Sequence, residues 1–354
     1  MNLYLRKDGR YESRVRNGKK PDGKRAFLYV LARTKEQCIE RVQAICQQNR
    51  PQGYCALTVA ELFSEWHRSI LHRVKESTAA NYTMKADKHI LPEFGGLRYE
   101  NLSAPMIQSF IQKKISSGLS AKYVSDIVIV FKTMAKYISR VHSFRNPLAD
   151  VILPKSQQKE MHLLSEKQQN QLCSYLMRNQ NLTSLCILIS MHMGLRIGEV
   201  CGLQWSDIDF EKQLLTVRRT VQRVQTETST KLLIDTPKTS SSRRSVPIPD
   251  FMMPLLKKFR NQDNFYLLSG TEHPAEPRTL QRRFKTILKK ANLPSVNYHS
   301  LRHMFATNCI KAGFDVKTLS EILGHASVET TLKLYVHSSM ERKIECMNKL
   351  KFAA

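Results

Sequence analysis

The sequence predicts a multidomain protein: a small three-stranded β-sheet plus helix N-terminal domain, an all-α helical domain, and a mainly α domain with a small antiparallel β-sheet. Three observations carry this. The chain has 354 residues, more than one ordinary domain holds. Its apolar fraction of 42% is enough for real cores. The hydrophobic pattern also changes along the chain, alternating at first, then helical, then briefly alternating again.

Residues 1–55 form the first unit. Apolar and aromatic residues recur in LYLR, YESRVR and RAFLYVLA, separated by the turn signals KDG and GKKPDGK, which predicts three short antiparallel strands. TKEQCIERVQAI then begins with a capping box, Thr34 and Gln37, and predicts one helix. This unit carries 13 Lys+Arg against 5 Asp+Glu, a net charge of +8. Arg14 and Arg16 alternate onto one face of the second strand. They are candidate contacts to nucleic acid, against the alternative of a solvated β-meander.

Residues 56–155 read as all helix. LTVAELFSEW opens with a second capping box, Thr58 and Glu61, and places Val59, Leu62, Phe63 and Trp66 on one stripe. TAANYTMKADKHI follows. SAPMIQSFIQKKI starts at Ser103 with Pro105 in its first turn. A longer helix starts at Ser120, with Val124, Ile127, Val128, Phe131, Met134 and Ile138 facing inward. The Pro-containing segment RNPLADVILPKSQQKEM is expected to be a linker out of this bundle.

Residues 160–354 begin with LSEKQQNQLCSYLM, capped by Ser165, then an apolar helix TSLCILISMHMG and RIGEVCGLQW. LLTVRRTVQRV, KLLIDT and RRSVPIP predict three strands, with TPKTSSSR as the turn before the last. PRTLQRRFKTILKKA, YHSLRHMFATNCIKAG, VKTLSEILG and SVETTLKLYVH are helical again.

The charge balance narrows the partners. With 56 Lys+Arg against 30 Asp+Glu the formal net charge is +26, which requires a polyanion, DNA or RNA before all others. An anionic membrane surface is the rival. It is weakened by the lack of a lipidation signal or a strongly amphipathic Lys/Arg helix. The longest apolar run, Ser184–Leu195, is too short to span a bilayer, and MNLYLRKDGRYES lacks the apolar stretch of a signal peptide. The eight cysteines are scattered, with no C-x-x-C pair, so buried reduced thiols in a cytoplasmic protein are expected.

Polar residues stand beside apolar helices at four places: Arg196 in MGLRIGE, Lys238 in TPKTSSSR, His299, Arg302 and His303 in HSLRH, and His325 in LGHAS, ten residues before Tyr335. Each has an ordinary reading. Arg196 pairs with Glu199 at i,i+3, Lys238 is a solvated turn lysine, His325 caps a helix and Tyr335 is core. His299 and His303 at i,i+4 resemble half a metal site, but Arg302 on the same face opposes a cation and no cofactor is expected. Together they describe one reaction. Two arginines on separate helices can hold a phosphodiester and stabilise the charge of five-coordinate phosphorus without a metal. Histidines can donate to the same oxygens, and a lysine on a hairpin can protonate the leaving alkoxide. A tyrosine, with an ordinary pKa of about 10, could be the nucleophile if cationic neighbours lower it.

These residues resemble the tyrosine recombinases, the phage-integrase family. The resemblance rests on Gly194-Leu195-Arg196-Ile197-Gly198-Glu199, on Lys238 in a β-turn, on His299-x-x-Arg302, on His325 after Leu-Gly, and on Tyr335. More weakly, 56–155 resembles the family's core-binding domain, and 1–55 the arm-type DNA-binding domain of integrases from conjugative transposons and temperate phages. The resemblance implies that 160–354 is the catalytic domain, with a C-terminal tail from about 336. It implies attack by Tyr335 on double-stranded DNA at core and arm attachment sites, a 3′-phosphotyrosine, and a homotetramer on DNA. An excisionase or DNA-bending protein is a candidate partner, and the bacterial cytoplasm, at the nucleoid, is the expected location. The tail, with Ile344, Met347 and Leu350 at helical spacing, docks on a neighbouring protomer or on its own. A non-catalytic DNA-binding regulator and a type IB topoisomerase-like enzyme are the alternatives.

Overall fold

The computed structural model describes residues 3–6, 8–19, 25–48, 57–155, 162–225, 229–236, 243–325 and 327–335, together with positions 344 and 348. The chain divides into two compact units, Met1–Gln157 and Gln158–Ala354.

The first unit holds two separate cores. Strands β1 (Leu3–Leu5), β2 (Tyr11–Lys19) and β3 (Arg25–Ala32) form an antiparallel sheet in that order. Helix α1 (Lys35–Gln48) packs against β2 and β3, and Thr34 caps it by accepting from the Gln37 backbone N–H at 3.3 Å. Alternation along the strands sends Val15, Val30 and Ala32 inward to meet Cys38 and Val42 of the helix. The opposite face keeps its aromatics in water: Tyr29, paired with Arg14, is 60% exposed.

The second core belongs to a bundle of α2 (Val59–Ile70), α3 (Glu76–Lys85), α4 (Leu91–Phe94), α5 (Ala104–Ser116) and α6 (Ala121–His142). The Thr58–Glu61 capping box forms in both directions. Val59, Leu62, Phe63 and Trp66 are buried against Val124, Ile127, Val128, Phe131, Met134 and Ile138, as their spacing requires. The stretch expected as one helix over TAANYTMKADKHI is interrupted. It starts at Glu76 and widens into a π-helical turn at Ala86–Ile90 that buries Ala86, His89 and Ile90. The expected linker is also bound at its start: Leu148 and Val151 are buried in the bundle core, Lys132 Nζ donates to the Val151 carbonyl at 2.7 Å, and Ser125 Oγ donates to that of Pro154.

The second unit starts with α7 (Glu166–Arg178), whose Ser165–Gln168 capping box forms, and α8 (Leu182–Met193), buried nearly all round. Next come α9 (Ile197–Cys201), β4 (Ile208–Asp209), β5 (Leu214–Val217), β6 (Thr220–Gln225), β7 (Thr230–Asp235) and β8 (Arg244–Pro247). The helices α10 (Met253–Phe259), α11 (Pro277–Lys290), α12 (Ser300–Lys311), α13 (Val316–Leu323) and α14 (Val328–Tyr335) complete it. Two small antiparallel sheets form where one was expected, β4-β5-β8 and β6-β7. LLTVRRTVQRV is split because Arg218 and Arg219 turn to the buried Asp207 carboxylate, at 3.6 and 3.2 Å, and leave the strand there. The main core is built on α8, Trp205, Leu215, Phe284 and Leu301, and a smaller one, Ala306, Cys309, Leu319 and Leu323, joins α12 to α13. No helix among the described residues is long and apolar enough to cross a membrane.

Candidate active site

Two helix ends organise the site. Helix α8 stops at Gly194, whose φ of 67° is left-handed. A side chain there would also collide with the Phe305 ring. Arg196 follows as the residue before α9, and α9 lies so close to β6 that a Cβ on Gly198 would come within 2.5 Å of Thr220 Oγ1. Helix α13 stops at Gly324, with φ of 63°. The backbone N–H groups of Gly324 and His325 bond back to Glu321 and Ser320, at 3.0 and 3.1 Å.

Three consecutive carbonyls at the end of α13, those of Ile322, Leu323 and Gly324, each accept from an arginine of a different element. Arg244 of β8 donates through Nε to the carbonyl of Ile322. Arg302 of α12 donates to Leu323 at 2.7 Å, and Arg196 to Gly324 at 3.3 Å. Arg302 also donates to the Gly194 carbonyl at 2.9 Å, so one guanidinium joins the carboxyl ends of α8 and α13. Both ends carry partial negative charge, which suits a buried cation. Arg302 is only 2% exposed, whereas the Arg196 side chain is about a third exposed at 36%.

The carboxylate of Glu199, 3% exposed, holds this group from below. It receives the Arg196 backbone N–H at 2.9 Å, the Arg196 guanidinium at 2.8 Å, and both ends of the Arg244 fork at 3.0 and 3.2 Å. Burial alone would raise its pKa, but the charges and hydrogen bonds of Arg244 and Arg196 prevail and hold it below the ordinary carboxylate value.

The histidines stand beside these cations. His299 precedes α12, and its ring meets that of His303 edge to face with centroids 4.8 Å apart. His325 shares a 2.8 Å hydrogen bond between Nδ1 and the hydroxyl of Thr331, a buried residue on α14. Burial, then Arg302, Arg196 and Arg244, push the His325 imidazole down to about 4. Burial, His303, Arg302 and Arg196 push His299 down to about 4 as well, although water at its exposed outer edge tempers the contribution of burial. Burial and Arg302 lower His303 also. All three rings are therefore neutral near pH 7.

Of the residues singled out in the sequence, the structure gathers Arg196, His299, Arg302 and His325. Lys238 lies outside the described residues. Tyr335 ends α14, which packs on α12 and α13, but its side chain lies outside them, as do Met347 and Leu350 of the tail. Arg14 belongs to the first unit, where its guanidinium lies 5.2 Å over the Phe27 ring; the side chain of Arg16 falls outside the described residues. The pairing of Arg196 with Glu199 is real and does not remove Arg196 from the site, because the guanidinium remains partly exposed. Sequence reasoning missed Arg244 and Thr331. The alternation of β8, with Arg244 and Val246 buried and Ser245 and Pro247 exposed, was the available signal for the first. Among the described residues no group of three or more His, Cys, Asp or Glu is placed to hold a metal. Fixed guanidiniums and neutral imidazoles suit an anionic oxygen group such as a phosphodiester.

Known proteins share this architecture. Residues 162–342 match the model of the phage integrase family, and 58–115 that of the phage integrase N-terminal SAM-like domain. The ICEBs1 integrase of Bacillus subtilis is 25% identical over 99% of both chains. The transposase from transposon Tn916 of Enterococcus faecalis is 31% identical over 53% of this chain and 51% of its own. Among solved structures, the Tn1549 transposon integrase in complex with transposon right end DNA superposes with a TM-score of 0.69 at 23% identity, covering 83% of this chain and 99% of that one. A lambda integrase tetramer bound to a Holliday junction superposes with a TM-score of 0.60 at 19% identity, covering 95% of each. The chain belongs to the phage integrase family and is a tyrosine-type site-specific recombinase.

Proposed function

We propose that Tyr335 is the nucleophile with which this recombinase cleaves and rejoins DNA strands, integrating and excising a mobile element. The observation that carries the reading is the gathering of Arg196, Arg302, His299 and His325 around the ends of α8 and α13, with α14 tied to them through Thr331. Arg196, from the open side, and Arg302, from beneath, hold the two non-bridging oxygens of the scissile phosphodiester. Their charge stabilises the extra negative charge of five-coordinate phosphorus. His299 and His325, neutral before DNA arrives, donate to those oxygens. The Tyr335 hydroxyl gives its proton to a neutral imidazole of the site, its oxygen bonds to phosphorus, and the bond to the 5′-oxygen breaks. Lys238 gives that oxygen its proton. The product is a 3′-phosphotyrosine and a free 5′-hydroxyl. A 5′-hydroxyl from a partner duplex then attacks phosphorus and releases the tyrosine. One phosphoester is exchanged for another, so the cycle balances without ATP or metal.

Residues 1–55 act as the arm-type DNA-binding domain, 56–155 as the core-binding domain and 160–354 as the catalytic domain. Arg14 supports the first assignment, because it lies on the sheet face away from α1 beside exposed Phe27 and Tyr29. Four protomers act on two duplexes, with an excisionase or DNA-bending protein as a candidate partner.

The test is incubation with a nicked attachment site followed by a denaturing gel. Wild type yields a covalent protein–DNA adduct and Tyr335→Phe yields none. An equal yield from Tyr335→Phe removes the tyrosine from its role, and no adduct from either, across all sites tried, favours a non-catalytic DNA-binding protein.

A further inference from the structure

We propose that Arg244 is a positioning residue that sets Arg196 and His325 in register for strand cleavage, an inference that rests on the catalytic reading above. Every nitrogen of its guanidinium is committed. Nη1 and Nη2 grip Glu199 at 3.2 and 3.0 Å, and Nε grips the Ile322 carbonyl. Glu199 in turn fixes Arg196 by both its backbone N–H and its guanidinium. The Ile322 carbonyl lies three residues before His325, on the same helix end that Arg302 and Arg196 hold. One planar fork therefore links β8, Glu199 on α9 and the end of α13. These are the elements that present Arg196 and His325.

The burial argues for positioning over simple support. The Arg244 and Glu199 side chains are 6% and 4% exposed. A buried ion pair must offset the loss of water around two charges, and apolar packing stabilises a fold at least as well. A rigid guanidinium, however, fixes direction in a way that apolar contact cannot. Glu199 has four donors, two per oxygen, so losing Arg244 frees the carboxylate to turn and Arg196 to follow it. Displacement of a reacting group by about 1 Å costs roughly 10²-fold in rate.

The experiment measures single-turnover cleavage of a nicked site by the full chain across pH, with binding of the same DNA and thermal melting in parallel. Arg244→Gln is expected to bind DNA as wild type does and to cleave roughly 10²-fold more slowly. Its acid limb should move to higher pH, because Glu199 keeps only Arg196 against burial and His325 loses a cation that holds it down; His299, just before α12, also faces Glu199. Arg244→Lys keeps charge without the fork and should recover the position of the limb but only part of the rate. Glu199→Gln combined with Arg244→Gln should cleave no more slowly than Arg244→Gln alone. An Arg244→Gln protein with the wild-type rate, or with a slower rate and an unshifted limb, overturns the proposal. If Arg244→Gln does not fold, Arg244→Lys decides: a wild-type rate overturns it, a slow folded enzyme upholds it. Wild type and Tyr335→Phe run alongside. If wild type forms no adduct, the catalytic reading itself fails and this inference falls with it. If only the Arg244 variants behave as wild type, this inference alone falls.

Discussion

Arginine is used in two opposite ways in this protein. In the N-terminal sheet Arg14 is exposed, with its guanidinium over the Phe27 ring and no carboxylate hydrogen-bonded to it among the bonds described. In the second unit Arg302 and Arg244 are buried; two carbonyls fix Arg302, and a carbonyl and a carboxylate fix Arg244. The first arrangement leaves the side chain free to follow a phosphate backbone, which gives affinity. The second removes that freedom and gives a fixed field at one point, which is what a transition state requires. The two regions should therefore fail differently when their arginines are removed.

The largest effect is expected at Arg302. Arg302→Ala removes a fixed cation and leaves the Gly194 and Leu323 carbonyls without their donor. Cleavage measured at saturating DNA should fall by roughly 10²–10³-fold or more. The melting temperature should also fall, since buried acceptors lose a charged donor, worth about 1.5–3 kcal/mol per bond. A smaller effect is expected at Thr331. Thr331→Val keeps the shape on α14 but removes the partner of His325 Nδ1. A loss of about 1 kcal/mol corresponds to roughly fivefold slower cleavage, with DNA binding unchanged.

The histidines give a pH prediction with a definite sign. His299 and His325 are pushed down to about 4 in the folded chain, against an ordinary value near 6.5. The unfolded chain therefore binds more protons between these values. Their contribution to stability is fully present above about 6.5 and is lost as pH falls toward 4. Thermal melting of His325→Gln should show a weaker acid-side decline than wild type. An identical decline in the two would mean that His325 is already charged in the fold.

The smallest effect belongs to the exposed region. Arg14→Ala should weaken binding of arm-site DNA and lower the slope of log affinity against log salt by about 0.9, one phosphate contact. Cleavage of an isolated core site should be unchanged. A cleavage defect there would erase the contrast between the two kinds of arginine.

How much of this could be read from the sequence depends on the range of the interaction. The capping box at Thr58, the cap at Ser165 and the inward stripe of α6 depend on neighbours a few residues away, and those signals hold in the fold. The division of LLTVRRTVQRV between two sheets depends on Asp207, whose burial is decided by the rest of the domain. Arg196, His299, Arg302 and His325 were legible as unusual residues because phosphate chemistry demands those side chains. The device that gathers them was not. Three carbonyls at the end of α13 carry no signature in the side-chain sequence, and Arg244 was one more charge in the predicted strand RRSVPIP. Backbone acceptors become visible only when the chain is folded.

The most direct test of the central claim is to map the covalent bond itself. Wild-type protein trapped on a nicked attachment site is digested with protease and nuclease, and the attached peptide is sequenced by mass spectrometry. The account predicts a single adducted peptide containing TTLKLYVH, with a 3′-linked nucleotide on Tyr335. A nucleotide on any other side chain would contradict it.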